Sequence, residues 1–404
     1  MSASRDTIVV LDTQNKAALP IIESAWRKGR QVIAAAPHRC CVGLFSRFTG
    51  SRVLSPNSDS DPAAYAAWLL NFVKQRRPAM VYPTGDSATA VVAQHQDELR
   101  IHTRIIIPQR DVFCIGRDKI LTLQAAERAG VAIPETWYPH QDGLEPVLAR
   151  VRFPALIKPA VSAGARGIIK VSAADEVRHL LPGIEAQFGR CFLQEYVPQA
   201  GMQYKVDAVI GEGGRLLAGV VYEKLRYYPP NGGSSVLNRT VLRPDIMAAA
   251  VRVLSHIGWY GFADFDFIED PRDGVVKLME INPRFPESFR ATCCAGYDMV
   301  EMLWDMAFNR EPDPQLSYRE GQYLRFLPGD VMWLLTSRNR RPQLRSWFKF
   351  FGRNLDYQVC ALNDPGPIIG YLLENLWIAL DSRKRAERFR LKQAREKSLP
   401  PLGK

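Results

Sequence analysis

The 404-residue chain lacks several features that would assign it to other protein classes. Its seven cysteines include no CxxC pair, and the adjacent pairs Cys40-Cys41 and Cys293-Cys294 have a spacing that suits neither a zinc site nor a simple disulfide. An odd number of cysteines without a pairing framework indicates a reducing cytosol. No run reaches 18 uncharged apolar residues, and the first residues hold no apolar stretch long enough for a secretory signal. We therefore expect neither a membrane span nor secretion.

Most of the excess positive charge lies at the C-terminal end of the chain. The net charge is +11, and the segment from Arg338 to Lys404 alone holds 15 Lys and Arg against 6 Asp and Glu. The remaining part is close to neutral, which argues against nucleic-acid binding by the main body. A length of 404 residues predicts two or three domains, and 47% hydrophobic with 24% charged residues is typical of a soluble globular protein.

Short apolar runs alternate with helical patterns in the first part of the chain. Residues 7–11, 31–36 and 80–83 read as buried strands, and residues 16–29 and 61–77 read as helices. This alternation predicts a parallel sheet with helices on both faces. No GxGxxG follows the first strand, so a dinucleotide site is not expected.

A small-residue loop lies between two predicted strands in the middle of the chain. A helix begins at Lys119, the strand over 153–159 contains Lys158, and the loop over 162–167 precedes a second strand over 168–171. Because the loop joins two strands and lacks the GK[ST] ending, it is not a Walker A loop. Such a loop can fold over a triphosphate and donate backbone N–H groups, although an ordinary hairpin turn is the alternative.

Polar oxygen ligands alternate along two later strands. In the run Lys277 to Arg284, Glu280 and Asn282 lie two residues apart and therefore point to the same side of a strand. Carboxylate and amide oxygens suit Mg²⁺, and Arg284 adds a fixed cation on that side. Asp264 and Asp266 alternate with aromatic residues in the same way, and two like charges so close favour a bound divalent cation.

The order of these motifs over residues 1–310 resembles the ATP-grasp superfamily. The resemblance implies an α/β and α+β fold class, in which a parallel-sheet domain precedes two lobes that hold ATP between them. It implies a first domain over residues 1–112 and an ATP-grasp domain over 113–310, with lobes at about 113–195 and 196–310. A mostly helical, basic C-terminal region would then occupy residues 311–404.

The resemblance also implies a nucleotide site. Phosphate contacts are expected from Lys119, Lys158 and the loop residues Ser162, Gly164 and Gly167. The hinge that meets the adenine is expected at Gln194, Glu195, Tyr196 and Val197. Gln203 stands where many family members place a ribose-binding glutamate, and glutamine can still hydrogen-bond a ribose hydroxyl.

The remaining implied residues bind metal or act on the substrate. Asp266, Glu280 and Asn282 are expected to hold one or two Mg²⁺, with Mn²⁺ as an alternative ion. Arg284 would stabilise the transferring phosphoryl group, and Ser288 would close the site. Arg226 is expected on a glycine-bearing loop, where it either clamps a carboxylate or is an ordinary surface arginine.

The C-terminal region leaves two interpretations open. Residues 367–380 are apolar with one acid, and basic residues follow from Arg383 to Arg395. The segment either docks on an anionic membrane surface or an acidic protein partner, or packs as a buried helix ahead of a solvated tail. The first interpretation predicts a cytoplasmic protein that is peripheral on the inner face of the membrane.

Together these features predict an ADP-forming carboxylate–amine ligase of the ATP-grasp type. Its partners would be a small-molecule carboxylate and an amine, with no nucleic acid, and a homodimer is left open. One alternative is a bicarbonate-using carboxylase or carbamoyl-phosphate-type synthase, although the chain has no biotin-carrier lysine motif and no attached glutaminase. The other alternative is a nucleotide-binding membrane adaptor without catalysis.

Overall fold

A computed structural model describes residues 6–162, 164, 166–230, 234–310, 312–337, 340–359, 361 and 363–381. Its strands form three sheets of four, four and seven strands. Within these described ranges, no helix is both long and apolar enough to cross a bilayer. The basic residues from Arg383 to Arg395 lie outside the described part.

The N-terminal unit is a parallel sheet covered by helices. Its strands are β1 (Thr7–Val10), β2 (Gln31–Ala36), β3 (Ser51–Leu54) and β4 (Met80–Tyr82), in the order β3-β2-β1-β4. Its helices are α1 (Ala18–Arg27), α2 (Pro62–Arg76), α3 (Asp86–Gln94) and α4 (Gln96–Arg100). The predicted parallel sheet is confirmed. The sequence missed β3, because this edge strand is largely exposed and has no apolar run.

Alternate residues of β1 enter different cores. Ile8 and Val10 pack with α1, whereas Val9 and Leu11 pack with α2 and α3. Successive side chains on a strand point to opposite faces, so an uninterrupted apolar run requires helices on both sides. This arrangement leaves the carboxyl ends of β1 and β4, followed by Asp12 and Asp86, at one edge of the sheet.

A small antiparallel sheet follows. Its strands are β5 (Thr136–Trp137), β6 (Ala155–Pro159), β7 (Ile169–Val171) and β8 (Cys191–Glu195), in the order β5-β8-β6-β7. Its accompanying helices are α5 (Arg110–Arg117), α6 (Lys119–Arg128), α7 (Pro139–Asp142), α8 (Leu144–Leu148) and α9 (Ala174–Phe188). The carboxylate of Asp118 accepts hydrogen bonds from the backbone N–H groups of Ile120 and Leu121, which fixes the start of α6.

The largest sheet has seven strands, in the order β13-β12-β9-β10-β11-β14-β15. They are β9 (Gln203–Ile210), β10 (Leu216–Tyr228), β11 (Ser234–Val241), β12 (Gly261–Glu269), β13 (Val276–Asn282), β14 (Tyr323–Arg325) and β15 (Leu355–Tyr357). The helices of this part are α10 (Pro244–His256), α11 (Arg290–Ala295), α12 (Met299–Ala307), α13 (Leu327–Thr336), α14 (Leu344–Trp347) and α15 (Gly366–Leu380).

The C-terminal region contributes strands as well as helices. Helices α13, α14 and α15 agree with the expected helical character, but β14 and β15 extend the large sheet beyond β11. Strand β14 pairs antiparallel with β11, with Leu237 opposite Arg325 and Asn238 opposite Leu324. The domain division at residue 310 stays a prediction, and the sheet itself continues across it.

The N-terminal sheet is fixed to the rest of the chain by charged contacts. The Arg30 guanidinium donates two hydrogen bonds to the carboxylate of Glu301 on α12, at 2.6 and 2.9 Å. Ser24 donates to Asp298 at 2.7 Å. These bonds attach the N-terminal sheet to α12. At the carboxyl edge of the sheet, Asp86 lies 3.0 Å from Arg284, which follows β13.

Candidate active site

Four polar side chains share one face of the paired strands β12 and β13. In the antiparallel register Asp264 lies opposite Asn282, and Asp266 lies opposite Glu280. The intervening residues Phe265 and Ile281 point into the core behind the sheet. The alternation predicted from the sequence is therefore the observed geometry. The side chains form a polar wall, here called the acidic face and defined as Asp264, Asp266, Glu280 and Asn282.

Two lysines from neighbouring strands contact the acidic face. Lys205 on β9 lies 2.7 Å from Asp264 and 3.1 Å from Asp266. Lys224 on β10 forms an ion pair with Asp266. Asn282 donates its amide N–H groups to Asp264 and Asp266 at 3.0 and 3.1 Å. Neither lysine is among the residues predicted for the site. Lys205 does interrupt an apolar strand, where a buried ammonium requires a partner.

Burial and these cations shift the aspartate pKa values in opposite directions. Burial raises the pKa of Asp264 to about 6, against the opposing effect of Lys205. Burial also acts to raise the pKa of Asp266, but Lys205 and Lys224 hold it well below its ordinary range. Burial and the neighbouring Asp264 raise the pKa of Asp207, which lies directly across from it on β9. The two lysines therefore keep Asp266 ionised.

The donor set fits a hard divalent cation. Carboxylate and amide oxygens are the ligands that Mg²⁺ binds, and all four side chains point to one side of the sheet. One oxygen of Asp264, Oδ1, is buried without a hydrogen-bond partner. A cation at this face would replace lysine ammonium groups that already neutralise the same carboxylates. The residues present thus suit the Mg²⁺ expected from the sequence.

Two lysines, one on the small sheet and one on its accompanying helix α6, point toward the acidic face. Lys158 on β6 is buried and donates to Oε1 of Gln194 at 2.7 Å. Lys119 lies 3.1 Å from Glu280 and donates to the carbonyl oxygen of Ser162 at 2.7 Å. Burial lowers the pKa of Lys158 to about 8, while Glu280 opposes this shift and Lys119 adds to it. The two lysines and Glu280 therefore share one cleft between the two sheets.

The loop between β6 and β7 borders this cleft. The two strands pair as an antiparallel hairpin, as predicted, and Ser162 brings its carbonyl to Lys119. Gly164 and Gly167 have φ values of +64° and +76°, a region that disfavours side chains. A Cβ on Gly167 would also lie 2.7 Å from Pro159. Glycine is thus required at position 167 on two grounds.

The predicted hinge spans the last two residues of β8 and the two residues after it. The Glu195 carboxylate accepts hydrogen bonds from the backbone N–H of Glu135 and from Lys277, at 3.0 and 2.8 Å, which ties the small sheet to β13. Gln194 is fully buried between Lys158 and Thr136, and Val197 is buried. The side chains of this segment are therefore engaged in packing.

Two further predicted residues line the ends of the cleft. The ring of Tyr196 lies beneath Lys170, whose Nζ is 3.6 Å from the ring centroid. Gln203 begins β9 and shares the strand face of Lys205 two residues later. These positions are compatible with a nucleotide base and ribose, and the assignments stay predictions.

Arg284 connects the acidic face to the N-terminal sheet. Its Nε lies 3.0 Å from Asp86, which follows β4, and its Nη1 lies 4.0 Å from Asp264. Ser288 is buried and its hydroxyl lies 2.8 Å from that of Tyr222, which in turn contacts Asp207. Arg284 therefore reaches the cleft. Ser288 lies on the same side of the sheet as the acidic face, because Tyr222 pairs with Lys205 and Asp207 pairs with Asp264.

Arg226 does not lie on the loop that the sequence predicts. Strand β10 runs from Leu216 to Tyr228, so Arg226 lies within the strand. Its side chain is buried and donates to Asp330 at 2.9 Å, and Arg325 donates to the same carboxylate at 2.5 Å. The pairing of β10 with β11 shifts register on both sides of Arg226, so its side chain does not share the direction of Lys224. The Arg226 charge is already compensated by Asp330.

Comparisons with known proteins agree with this geometry. The family described as "ATP-grasp in the biosynthetic pathway with Ter operon" matches residues 187–325. The vancomycin/teicoplanin A-type resistance protein VanA of Enterococcus faecium is 27% identical over 220 residues, which cover 48% of this chain and 62% of that protein. The D-aspartate ligase of Enterococcus faecium (strain Aus0004) is 25% identical over 322 residues, which cover 73% of this chain and 75% of that ligase.

The fold also matches solved structures. The biotin carboxylase domain dimer of the Hydrogenobacter thermophilus 2-oxoglutarate carboxylase, in complex with MgADP, ADP and bicarbonate, superposes with a TM-score of 0.63 at 16% identity. That match covers 78% of this chain and 73% of the solved chain. At this identity the likeness concerns the fold.

Proposed function

The chain belongs to the ATP-grasp superfamily, and on this premise we propose that it is an ADP-forming ligase that joins a carboxylate to an amine. The observation that carries the proposal is the cleft in which the acidic face meets Lys119 and Lys158. A polyphosphate with its cation requires both signs of charge in one place, and the cleft supplies them.

The first chemical step is transfer of the γ-phosphoryl group to the substrate carboxylate. A carboxylate oxygen attacks the γ-phosphorus, the bond to the β-phosphate oxygen breaks, and ADP leaves. Lys119 and Lys158 hold the phosphates, while Arg284 lies where it can stabilise the transferring group. Asp266, Glu280 and Asn282 would hold Mg²⁺, which neutralises phosphate charge when bound.

The second step forms the amide. The amine nitrogen attacks the acyl carbon of the acyl phosphate, inorganic phosphate leaves, and the nitrogen loses a proton. No protein nucleophile is needed, because phosphate is the leaving group created by the first step. Arg284, which also contacts Asp86 of the N-terminal sheet, would stabilise charge on the acyl phosphate oxygen. The N-terminal sheet and the acidic face thus border the same reaction space.

A product assay tests this function. Purified protein with Mg²⁺ and ATP would be screened against amino acids and simple carboxylic acids, singly and in pairs, with ADP, AMP and phosphate measured separately. We expect ADP and phosphate to form in equal amounts and only with the right carboxylate. AMP with pyrophosphate would contradict the acyl-phosphate route, and no nucleotide turnover with any pair would favour a nucleotide-binding protein without catalysis.

The shifted pKa of Lys158 predicts a pH dependence for ATP use. Because burial lowers this pKa to about 8, the ammonium form that attracts phosphate is lost as the pH rises through that value. We expect kcat/KM for ATP to fall by up to tenfold per pH unit above pH 8. In Lys158→Met, kcat/KM should be low at every pH and should lose this dependence. A wild-type profile that is flat to pH 10 would contradict the assignment.

The C-terminal helix supports a more specific proposal about location. One face of α15 packs on residues 42–45, where Gly366 and Gly370 contact Phe45, so part of the buried-helix interpretation holds. The other face exposes apolar side chains, with exposed fractions of 52% for Ile369, 59% for Leu372, 40% for Leu373, 55% for Leu376 and 74% for Leu380. This face, followed in sequence by the basic residues from Arg383, suits an anionic membrane surface on the cytoplasmic side.

Vesicle sedimentation tests that location. The full chain and a version ending at Asp381 would be mixed with phosphatidylcholine vesicles, with or without phosphatidylserine. We expect only the full chain to pellet strongly, and only with the anionic vesicles. Equal pelleting of the two versions would remove the basic tail from the proposal, and no pelleting of either would favour an acidic protein partner. Homodimer formation also stays part of the proposal and can be measured by light scattering.

A further inference from the structure

Three potential metal ligands meet between the N-terminal unit and the C-terminal helix. His38 and Cys41 flank the turn after β2, and Glu374 lies near the middle of α15. The His38 Nε2 atom lies 3.2 Å from Oε1 of Glu374 and 3.5 Å from Sγ of Cys41. One ligand atom from each residue lies within 4.8 Å of the others. Neither the comparisons nor the proposed chemistry uses these residues.

The separations match the edges of a tetrahedral zinc site. With Zn–N and Zn–O bonds of about 2.0–2.1 Å and a Zn–S bond of about 2.3 Å, tetrahedral angles give N–O and N–S separations of roughly 3.3 and 3.6 Å. Two of the three edges in the structure are close to these values. The third edge, between the Cys41 sulfur and a Glu374 carboxylate oxygen, is no longer than 4.8 Å. Rotation of the Glu374 side chain would shorten it.

The surroundings of the three residues hold them in place. Cys41 is fully buried, whereas the side chains of His38 and Glu374 are 21% and 19% exposed, so an ion can enter from one side. The His38 ring packs against Trp377, one turn after Glu374, with 4.7 Å between ring centroids. The Cys41 sulfur lies 3.4 Å from Nδ1 and 3.5 Å from Nε2 of the same ring. A ring held by an indole has less rotational freedom to lose, which lowers the entropic cost of binding.

We propose that His38, Cys41 and Glu374 bind a zinc ion that fastens α15 to the N-terminal unit. Thiolate and imidazole ligands select Zn²⁺ over Mg²⁺, so this site and the oxygen-lined acidic face would bind different ions. A water molecule would complete the four-coordinate shell. The sequence spacing alone gave no indication of such a site, because Glu374 is 333 residues from Cys41 and only the packing of α15 brings them together.

The zinc ion would provide a second attachment for α15. The helix is already held at its start, where Asp364 accepts hydrogen bonds from the Ser46 hydroxyl at 2.6 Å and the Arg47 backbone N–H at 2.9 Å. A Cβ on Gly366 would lie 2.0 Å from the Phe45 carbonyl oxygen, so the helix approaches the turn closely there. Glu374 lies about two turns later, where the Trp377 ring also packs on His38.

Cobalt spectroscopy on the full-length protein tests the proposal. Metal-stripped protein would be titrated with Co²⁺ in the presence of excess Mg²⁺, which occupies oxygen-only sites. We expect one equivalent to bind with a thiolate-to-cobalt charge-transfer band and the visible d–d bands of tetrahedral Co²⁺, and Zn²⁺ should displace it. The band should be absent in Cys41→Ser, and the apparent Kd should rise at least tenfold in Glu374→Gln.

Two controls keep the result decisive. Cys114→Ser changes an exposed thiol remote from the site and should retain the band. Zn²⁺ should raise the thermal midpoint of the wild type and of Cys114→Ser but not that of Cys41→Ser, since only a metal that binds the folded state stabilises it. A wild-type protein without the charge-transfer band, or a band that persists in Cys41→Ser, would overturn the zinc site and leave an ordinary polar contact between His38 and Glu374.

Discussion

Replacement of Glu280 by glutamine is expected to reduce the kcat of substrate-dependent ADP release by about 10²- to 10³-fold, the range seen when one preorganised charge-stabilising group is removed. Glu280 lies opposite Asp266 on the acidic face and 3.1 Å from Lys119. Glutamine keeps the shape but removes the negative charge, so both the cation site and the Lys119 position are weakened. The effect would be measured by steady-state ADP release under saturating carboxylate and amine.

A matched control is available on the neighbouring strand. Glu269 ends β12, but its carboxylate accepts from the hydroxyl of Tyr204, whose side chain packs in the core behind the sheet. Glu269→Gln should therefore retain turnover close to that of the wild type. Glu280 is 28% exposed on its side chain, so its replacement should leave the circular dichroism spectrum unchanged. Undiminished turnover in Glu280→Gln would remove the acidic face from the mechanism.

Replacement of Asp330 by alanine is expected to lower the free energy of unfolding by about 3–5 kcal/mol, the cost of leaving a buried charge without its partner. Asp330 is fully buried and accepts hydrogen bonds from Arg226 and Arg325, each of which is 1% exposed. The variant leaves the two buried guanidinium groups without their carboxylate partner. Urea unfolding followed by fluorescence measures the change, since Trp333 and Trp347 pack on these two arginines.

An exposed ion pair provides the comparison. Asp142 lies 2.7 Å from Arg150, and the two side chains are 45% and 56% exposed. Asp142→Ala should cost less than about 1 kcal/mol, because solvent already screens the pair. Similar losses in both variants would show that Arg226 is not held as a buried partner of Asp330. That result would return Arg226 to consideration as a carboxylate clamp.

Local sequence determined the acidic face and the parallel sheet. Glu280 and Asn282 share a face for a reason internal to the strand, since its side chains alternate with a period of two. The uninterrupted apolar run at β1 required helices on both faces, and these are present. Lys158 lies within an apolar strand, and its burial follows from that position. In each case the information lies within a few neighbouring residues.

Longer-range packing decided what the sequence could not. The glycines and prolines after Tyr228 suggested a loop around Arg226, but pairing of β10 with β11 extends the strand past that residue. Lys224 could be assigned to Asp266 only once the sheet order placed β10 and β12 on either side of β9. Strands β14 and β15 are only three residues long, too short for a periodic pattern. They form because β11 offers an edge to which β14 adds, and β15 then adds to β14.

The sequence by itself therefore determined which residues carry charge toward a common strand face, and with it the expectation of a nucleotide and its cation. Only the tertiary structure decided which charges neutralise each other, as in Lys205 with two aspartates and Arg226 with Asp330. It also brought His38 and Cys41 next to Glu374. The physical reason is that alternation along a strand is a local property of the backbone. Compensation of a buried charge depends on side chains brought together from distant parts of the chain.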